Sequence, residues 1–190
     1  MIETSKLWYK EFLGDAALSF ETLRGLDVVV ARALASDPSR AEPAVMDAGA
    51  KIIGAVAFGR GCIVGHGALI VGPAIFGDNC VIGHASEVTR SMFGDDSRAA
   101  HFNYVGDSIV GSHVNLGAGA KLANTRFDKK EIFGLPHCGA ILGDNVQIGC
   151  NAVVDPGVVV GDGVWFAGVH LPVTADGSAH TRESVKKYFY

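Results

Sequence analysis

The stretch AAHFNYVGD, residues 99–107, puts a histidine, an asparagine and a tyrosine within four positions, His101 to Tyr104. An imidazole with a reference pKa of about 6.5 exchanges protons near neutrality, so His101 is a candidate general base. The competing readings of the residue are a metal ligand and a structural side chain. Two histidines precede it, His66 and His84, 18 residues apart; His101 follows His84 by 17, and Ala118 follows His101 by 17. Such spacings bring side chains together only if the chain returns to the same place once in every 17 or 18 residues.

The apolar pattern supplies that return. Aliphatic or aromatic residues recur every six positions at Phe58, Val64, Ile70, Phe76, Ile82 and Val88, and again at Phe93, Ala99, Val105, Val110, Leu116 and Leu122. They resume as Leu142, Ile148, Val154, Val160 and Phe166. Of these 17 positions 11 are followed directly by glycine, which argues for one short strand and one corner per hexad. A strand this short cannot bury an apolar face alone, so it must stack on its successors as a solenoid. Coils stacked at about 4.8 Å then place His66, His84, His101 and Ala118 in one column. Two intervals, Val88 to Phe93 and Val105 to Val110, are five residues long. The interval Leu122 to Leu142 is 20 rather than 18 and hides a loop at about 124–140.

Ahead of the repeats, Leu13, Ala17, Phe20, Leu23 and Leu26 are spaced by three or four, which predicts a helix over residues 10–36 that packs on the end or flank of the solenoid. TRESVKKYFY predicts a short C-terminal helix with Thr181 as N-cap. The expected organisation is a helical extension over 1–44, the solenoid over 45–173 and a tail over 174–190. The chain has 190 residues, 48% hydrophobic and 19% charged, and a formal charge of -4, so no basic field gathers nucleic acid and no apolar run spans a membrane. MIETSKLWYKEF does not read as a secretion signal, so the expected location is cytoplasmic, with Cys62, Cys80, Cys138 and Cys150 as mostly buried thiols.

The segment AHFNYVGDSIVGSHVNLGAG, residues 100–119, resembles the acetyltransferase domain of bifunctional glucosamine-1-phosphate acetyltransferases / N-acetylglucosamine-1-phosphate uridyltransferases. The motif match comprises His101, Tyr104, Gly106, Asp107 and Asn115 to Gly119, and the similarity runs over about residues 70–168. Residues 1–50 hold no glycine-rich nucleotide loop, so the uridyltransferase part is not matched. The resemblance implies a mainly β fold, the left-handed parallel β-helix of hexapeptide-repeat acyltransferases, assembled as a homotrimer. It implies acetyl transfer from acetyl-CoA to a small, phosphorylated aminosugar, with His101 as general base. Tyr104 and Asn115 match substrate-contacting positions, and Lys130 matches a family lysine. Ala118, Asn124, Cys150, Ala167 and Gly168 match coenzyme-contacting ones, the Ala118 N–H doubling as oxyanion donor.

Val71 and Thr89 stand where the family has the arginine and lysine that hold the substrate phosphate, and Arg90 is the candidate to compensate. Those losses keep open a non-catalytic solenoid that binds sugar phosphate or coenzyme A. A metalloenzyme like the γ-class carbonic anhydrases is a third reading, against which the chain has no HxxxxH spacing; no metal site is expected.

Overall fold

The computed structural model describes residues 6–13 and 18–188, and its strands form a parallel β-solenoid of three faces. Face A holds Val45–Met46, Ile63–Val64, Val81–His84, Arg98–His101, Asn115–Leu116, Gln147–Ile148 and Trp165–Phe166. Face B holds Lys51–Ile53, Leu69–Val71, Glu87–Thr89, Tyr104–Gly106, Lys121–Leu122, Val153–Val154 and His170–Leu171. Face C has six strands: Val56–Ala57, Ala74–Phe76, Met92–Phe93, Ile109–Val110, Ile141–Leu142 and Val159–Val160. The hexad residues point inward and stack in register, for example Ile82, Ala99, Leu116, Ile148 and Phe166 on face A, all at most 2% exposed.

Polar side chains finish the corners. Where face C turns into face A, Asp78, Asp95, Asp144 and Asp162 and the Ser112 hydroxyl each accept a backbone N–H from the preceding coil, at 2.7–3.1 Å. This satisfies donors that a tight corner would otherwise strand.

The first four strands of face C are buried on both sides. Its outward residues Ala57, Ile75, Met92 and Ile109 pack against Phe20, Leu23, Leu26, Val30 and Ala33 of the N-terminal segment. The predicted continuous helix is instead an α-helical turn, Lys10–Leu13, a 3-10 segment, Phe20–Gly25, and an α-helix, Leu26–Ser36. Gly25 favours a junction rather than a helix interior, and Ala17 lies outside the described residues. Trp8 donates to the Phe76 carbonyl at 2.9 Å and Tyr9 to that of Phe93 at 2.6 Å, anchoring the segment on the flank. The Arg40 carbonyl accepts the Phe58 N–H at 2.8 Å, so this segment also covers the first strand of face C.

At the other end the expected C-terminal helix is a 3-10 turn, Ser184–Tyr188, with the Thr181 hydroxyl accepting the Ser184 N–H at 3.2 Å. Val185 joins the interior core there, and His180 pairs with Val160.

The long interval differs from its reading as a lengthened coil. Leu122 ends a strand of face B and Leu142 ends the next strand of face C, so 20 residues stand where six would suffice. The insertion sits at one corner. Its base is pinched by a Cys138 N–H to Asn124 carbonyl bond of 2.9 Å. Its tip, Ile132 to Leu135, closes on itself with bonds of 3.0 and 2.9 Å through Phe133 and Gly134, both at positive φ. The tip docks on the N-terminal segment: Phe133 stacks on Phe20 with centroids 5.0 Å apart, and Arg24 donates to the Phe133 and Gly134 carbonyls at 2.8 and 3.1 Å.

Candidate active site

The corner between faces A and B carries the histidine column. Strand register and corner hydrogen bonds align His66, His84, His101, Ala118, Cys150 and Gly168, one per coil. In each coil but the last the following residue is left-handed: Gly67, Ala85, Phe102, Gly119 and Asn151, at φ 51 to 74°. That repeated conformation turns the chain toward face B and presents the column residues of those five coils outward; Gly168, in the last coil, continues the column but is buried. Four expected site residues, His101, Ala118, Cys150 and Gly168, are therefore brought to one edge, with Ala167 beside them.

The three histidines are not equivalent. The His66 and His84 rings stack 5.8 Å apart, and each Nδ1 faces a carbonyl one coil earlier, Ala48 at 2.5 Å and His66 at 3.0 Å. A ring nitrogen facing a carbonyl must be the N–H donor, which fixes the tautomer. The edge of Phe102 covers His84. The His101 ring is exposed and makes no hydrogen bond among the described residues.

Asn103 lies beneath this corner, 2% exposed and pointing into the prism. The residues at its level in neighbouring coils are Ala68, Ser86, Ala120 and Ala152. An amide at an interior position otherwise filled by alanine or serine is the signal that the sequence carries for this residue.

Around the strand Tyr104–Gly106 the side chains form a chain of hydrogen bonds. The Tyr104 hydroxyl donates to Asn124 Oδ1 at 3.2 Å, Asn124 Nδ2 to Asp107 Oδ2 at 2.5 Å, and Arg90 Nε to Asp107 Oδ1. Asp107 is 5% exposed at its side chain, and Arg90 also donates to the His137 carbonyl at 3.3 Å. The carboxylate sets the Asn124 amide orientation, which in turn faces an acceptor oxygen toward Tyr104. Burial raises the Tyr104 phenol above its ordinary pKa, with the Glu87 and Asp107 carboxylates adding to the effect. Gly106 leaves room for this chain of bonds, because a Cβ would come within 2.6 Å of Asn124 Nδ2 and 2.8 Å of the Tyr104 hydroxyl and displace both side chains.

The remaining expected residues are dispersed. Arg90, anticipated at a substrate phosphate, has its guanidinium engaged by Asp107, from a corner position at φ 42° rather than from a strand. Asn115 is exposed on face A, across the histidine corner from Tyr104. Lys130 is exposed in the inserted loop, its backbone N–H held by Asp128 Oδ1 at 3.2 Å. Cys62, Cys80 and Cys138 are buried as expected, but Cys150 is exposed because its column faces outward. Beside it a groove of about 330 Å³ is lined by Gln147, Gly149, Trp165 and Ala167. Among the described residues no three His, Cys, Asp or Glu side chains are grouped to hold a metal ion, and no helix is long and apolar enough to cross a membrane.

A three-faced parallel solenoid with a six-residue period, an imidazole on one corner and an inserted basic loop is a hexapeptide-repeat β-helix. No family model matches the chain. Over 85 residues, 40% of its length, it is 39% identical to the bifunctional sugar-1-phosphate nucleotidylyltransferase/acetyltransferase of Sulfurisphaera tokodaii, covering 21% of that protein. It is 36% identical over 91 residues to bifunctional protein GlmU of Methanocaldococcus jannaschii, covering 43% of the chain and 22% of the relative. For bifunctional protein GlmU of Bacillus cytotoxicus the figures are 38% over 81 residues, 43% and 16%. The chain thus spans about a fifth of the length of these curated relatives. Among solved structures, the acetyltransferase domain of PglB from Neisseria gonorrhoeae FA1090 in complex with acetyl coenzyme A aligns over 85% of this chain and 69% of that one, with 16% identity and a TM-score of 0.36.

Proposed function

We propose that the protein transfers an acetyl group from acetyl-CoA to the amine of a small, phosphorylated aminosugar, with His101 as general base. The observation that carries this reading is the alignment of an unbonded imidazole, His101, with the small column residues Ala118, Cys150 and Gly168, along which an extended thioester can lie. The relatives named for sugar-1-phosphate nucleotidyl and acetyl transfer support it. His101 takes the amine proton as the nitrogen attacks the thioester carbonyl. The Ala118 N–H, which has no carbonyl partner among the described residues, donates to the developing oxyanion. Collapse breaks the carbon–sulfur bond, and the imidazolium proton passes to the departing thiolate. Tyr104, Asn115 and Asn124 align the reactants, and Lys130 meets the acceptor phosphate. The site is completed in a cleft between prisms of a homotrimer.

One observation favours a binding-only solenoid: Arg90 is held by Asp107, and Val71 and Thr89 stand where the family has the phosphate-holding cations. Thiol release from acetyl-CoA across a panel of amino-sugar phosphates decides between the two. Transfer that disappears in His101→Ala supports the enzyme. Coenzyme binding by calorimetry without any His101-dependent transfer supports the binding protein.

A further inference from the structure

The corner beneath His101 is built differently from its neighbours. In the adjacent coils the carbonyls of Gly65, Gly83, Gly117 and Gly149 accept the N–H three residues on, from Ala68, Ser86, Ala120 and Ala152, at 3.0–3.4 Å. These carbonyls point into the prism. The equivalent bond from Asn103 to Ala100 is not made; the Asn103 N–H goes to the Ser86 hydroxyl at 3.1 Å. The Ala100 oxygen is aimed at the coil below, where a Cβ on Gly83 would come within 2.0 Å of it. The Ala100–His101 peptide is therefore turned over relative to its counterparts, and its N–H points inward. There it meets Asn103 Oδ1 at 3.1 Å.

The same amide also reaches the next coil. Asn103 Nδ2 donates to the Gly117 carbonyl at 2.7 Å and lies 3.4 Å from that of Ala120. Gly117 O and the Ala118 N–H belong to one trans peptide plane and point in opposite directions. Drawing the carbonyl inward drives the Ala118 N–H outward, to the side where the column residues are presented. One buried side chain thus fixes the peptide that carries the His101 Cα and the peptide that carries the oxyanion donor.

We infer that Asn103 is a positioning residue that sets the imidazole of His101 and the N–H of Ala118 against each other. The inference rests on the acetyltransferase reading for its catalytic consequence, and on the two peptide orientations for its structural content. Asn103→Ser is the variant of choice, since Ser86 occupies this interior level one coil away. Its hydroxyl is too short to serve both peptides. Misplacement of a reacting group by about 1 Å costs up to about 100-fold, so kcat should fall by about 10- to 100-fold while both KM values stay within about threefold. The melting temperature should stay within about 4 °C of wild type. Independently of activity, hydrogen exchange at the His101 amide should quicken about tenfold or more as its acceptor is lost.

Wild-type exchange at His101 in Asn103→Ser overturns the inference, as does a kcat unchanged within about twofold. A loss that appears equally in kcat, both KM values and melting temperature also overturns it, because that pattern is plain destabilisation. Should wild-type protein transfer no acetyl group, the acetyltransferase reading fails, and exchange at His101 alone decides whether Asn103 holds this peptide. Gly83→Ala is the companion variant. Its methyl group meets the Ala100 oxygen and should reproduce the fall in kcat with Asn103 intact; wild-type kcat there removes the turned-over peptide from the argument.

Discussion

The two corners that bound face B are made from similar residue types and do opposite things. At the corner with face A, the His101 ring has no partner among the described residues, and Ala118 leaves its backbone N–H without a carbonyl. At the corner with face C, Arg90, Asp107 and Asn124 bind one another and Tyr104 so closely that little polar capacity remains. A reactive group must be held by its backbone and left free at its side chain, whereas a scaffold is the reverse. The sharpest break of this contrast lies inside one column. His101→Ala should lower kcat by about 100- to 10,000-fold, the usual worth of a general base. His84→Ala removes a ring already committed to the His66 carbonyl and should leave kcat within about twofold. Equal losses in the two variants, measured by thiol release, would mean that the column acts only as a structural row.

The cysteines repeat the contrast as reactivity. Cys138 lies beneath the corner with face C, and burial, reinforced by the Asp107 carboxylate against the opposing Arg90 charge, pushes its thiol up to about 12. At pH 8 about one molecule in ten thousand then carries the thiolate, so alkylation of Cys138 should be negligible and should rise steadily as the pH approaches 12. Cys150, exposed in the histidine column, should be alkylated first at pH 8, and acetyl-CoA should protect it if the coenzyme lies along the column. Peptide mapping after iodoacetamide treatment reads both. Modification of Cys138 ahead of Cys150 would contradict the arrangement of the two corners.

The scaffold corner should answer in stability. Asp107→Ala leaves the Arg90 guanidinium, 29% exposed at its side chain, without its carboxylate and frees the Asn124 amide. A loss of about 2–3 kcal/mol in denaturant unfolding is expected, below the range for a fully buried pair because Arg90 still reaches water. Arg90→Ala should cost a similar amount, and the double variant less than the sum, as expected for partners in one network. Additive losses would mean that the pair seen here contributes no coupling.

Much of the solenoid was legible because its rule is local: an apolar residue every six and a glycine after most of them. The histidine column followed from counting 17 and 18. The scaffold corner is equally countable. Arg90, Asp107 and Asn124 are each 17 apart, and the two five-residue intervals fall at Arg90 and Asp107, where φ is 42° and 45°. The reading of Arg90 as a phosphate contact misses that a left-handed corner turns its side chain to Asp107. Asn103 was hidden for another reason: its two acceptor and donor partners lie in different coils, and a turned-over peptide leaves no mark on a pattern of residue types. The inserted loop was found but not its anchorage, since the partners Phe20 and Phe133 are far apart in sequence with no period to relate them.

That anchorage carries the smallest expected effect. The loop holding Lys130 leaves the scaffold corner at a pinched base, and its tip is held by Arg24, itself paired with Glu21 at 3.0 Å. A Cβ on Gly134 would come within 2.7 Å of the Arg24 guanidinium, so the tip is a close fit. Arg24→Gln removes partly exposed hydrogen bonds worth about 1 kcal/mol in total. Where opening is fast relative to cleavage, proteolysis follows the open population, so trypsin should cut after Arg126, Lys129 and Lys130 about fivefold faster in the variant. Global unfolding should shift by no more than the same amount, about 1 kcal/mol. If trypsin cuts both proteins at the same rate, the base and the Arg126–Asp128 pair hold the loop by themselves, and the contrast between a free corner and a fixed one does not extend to its tip.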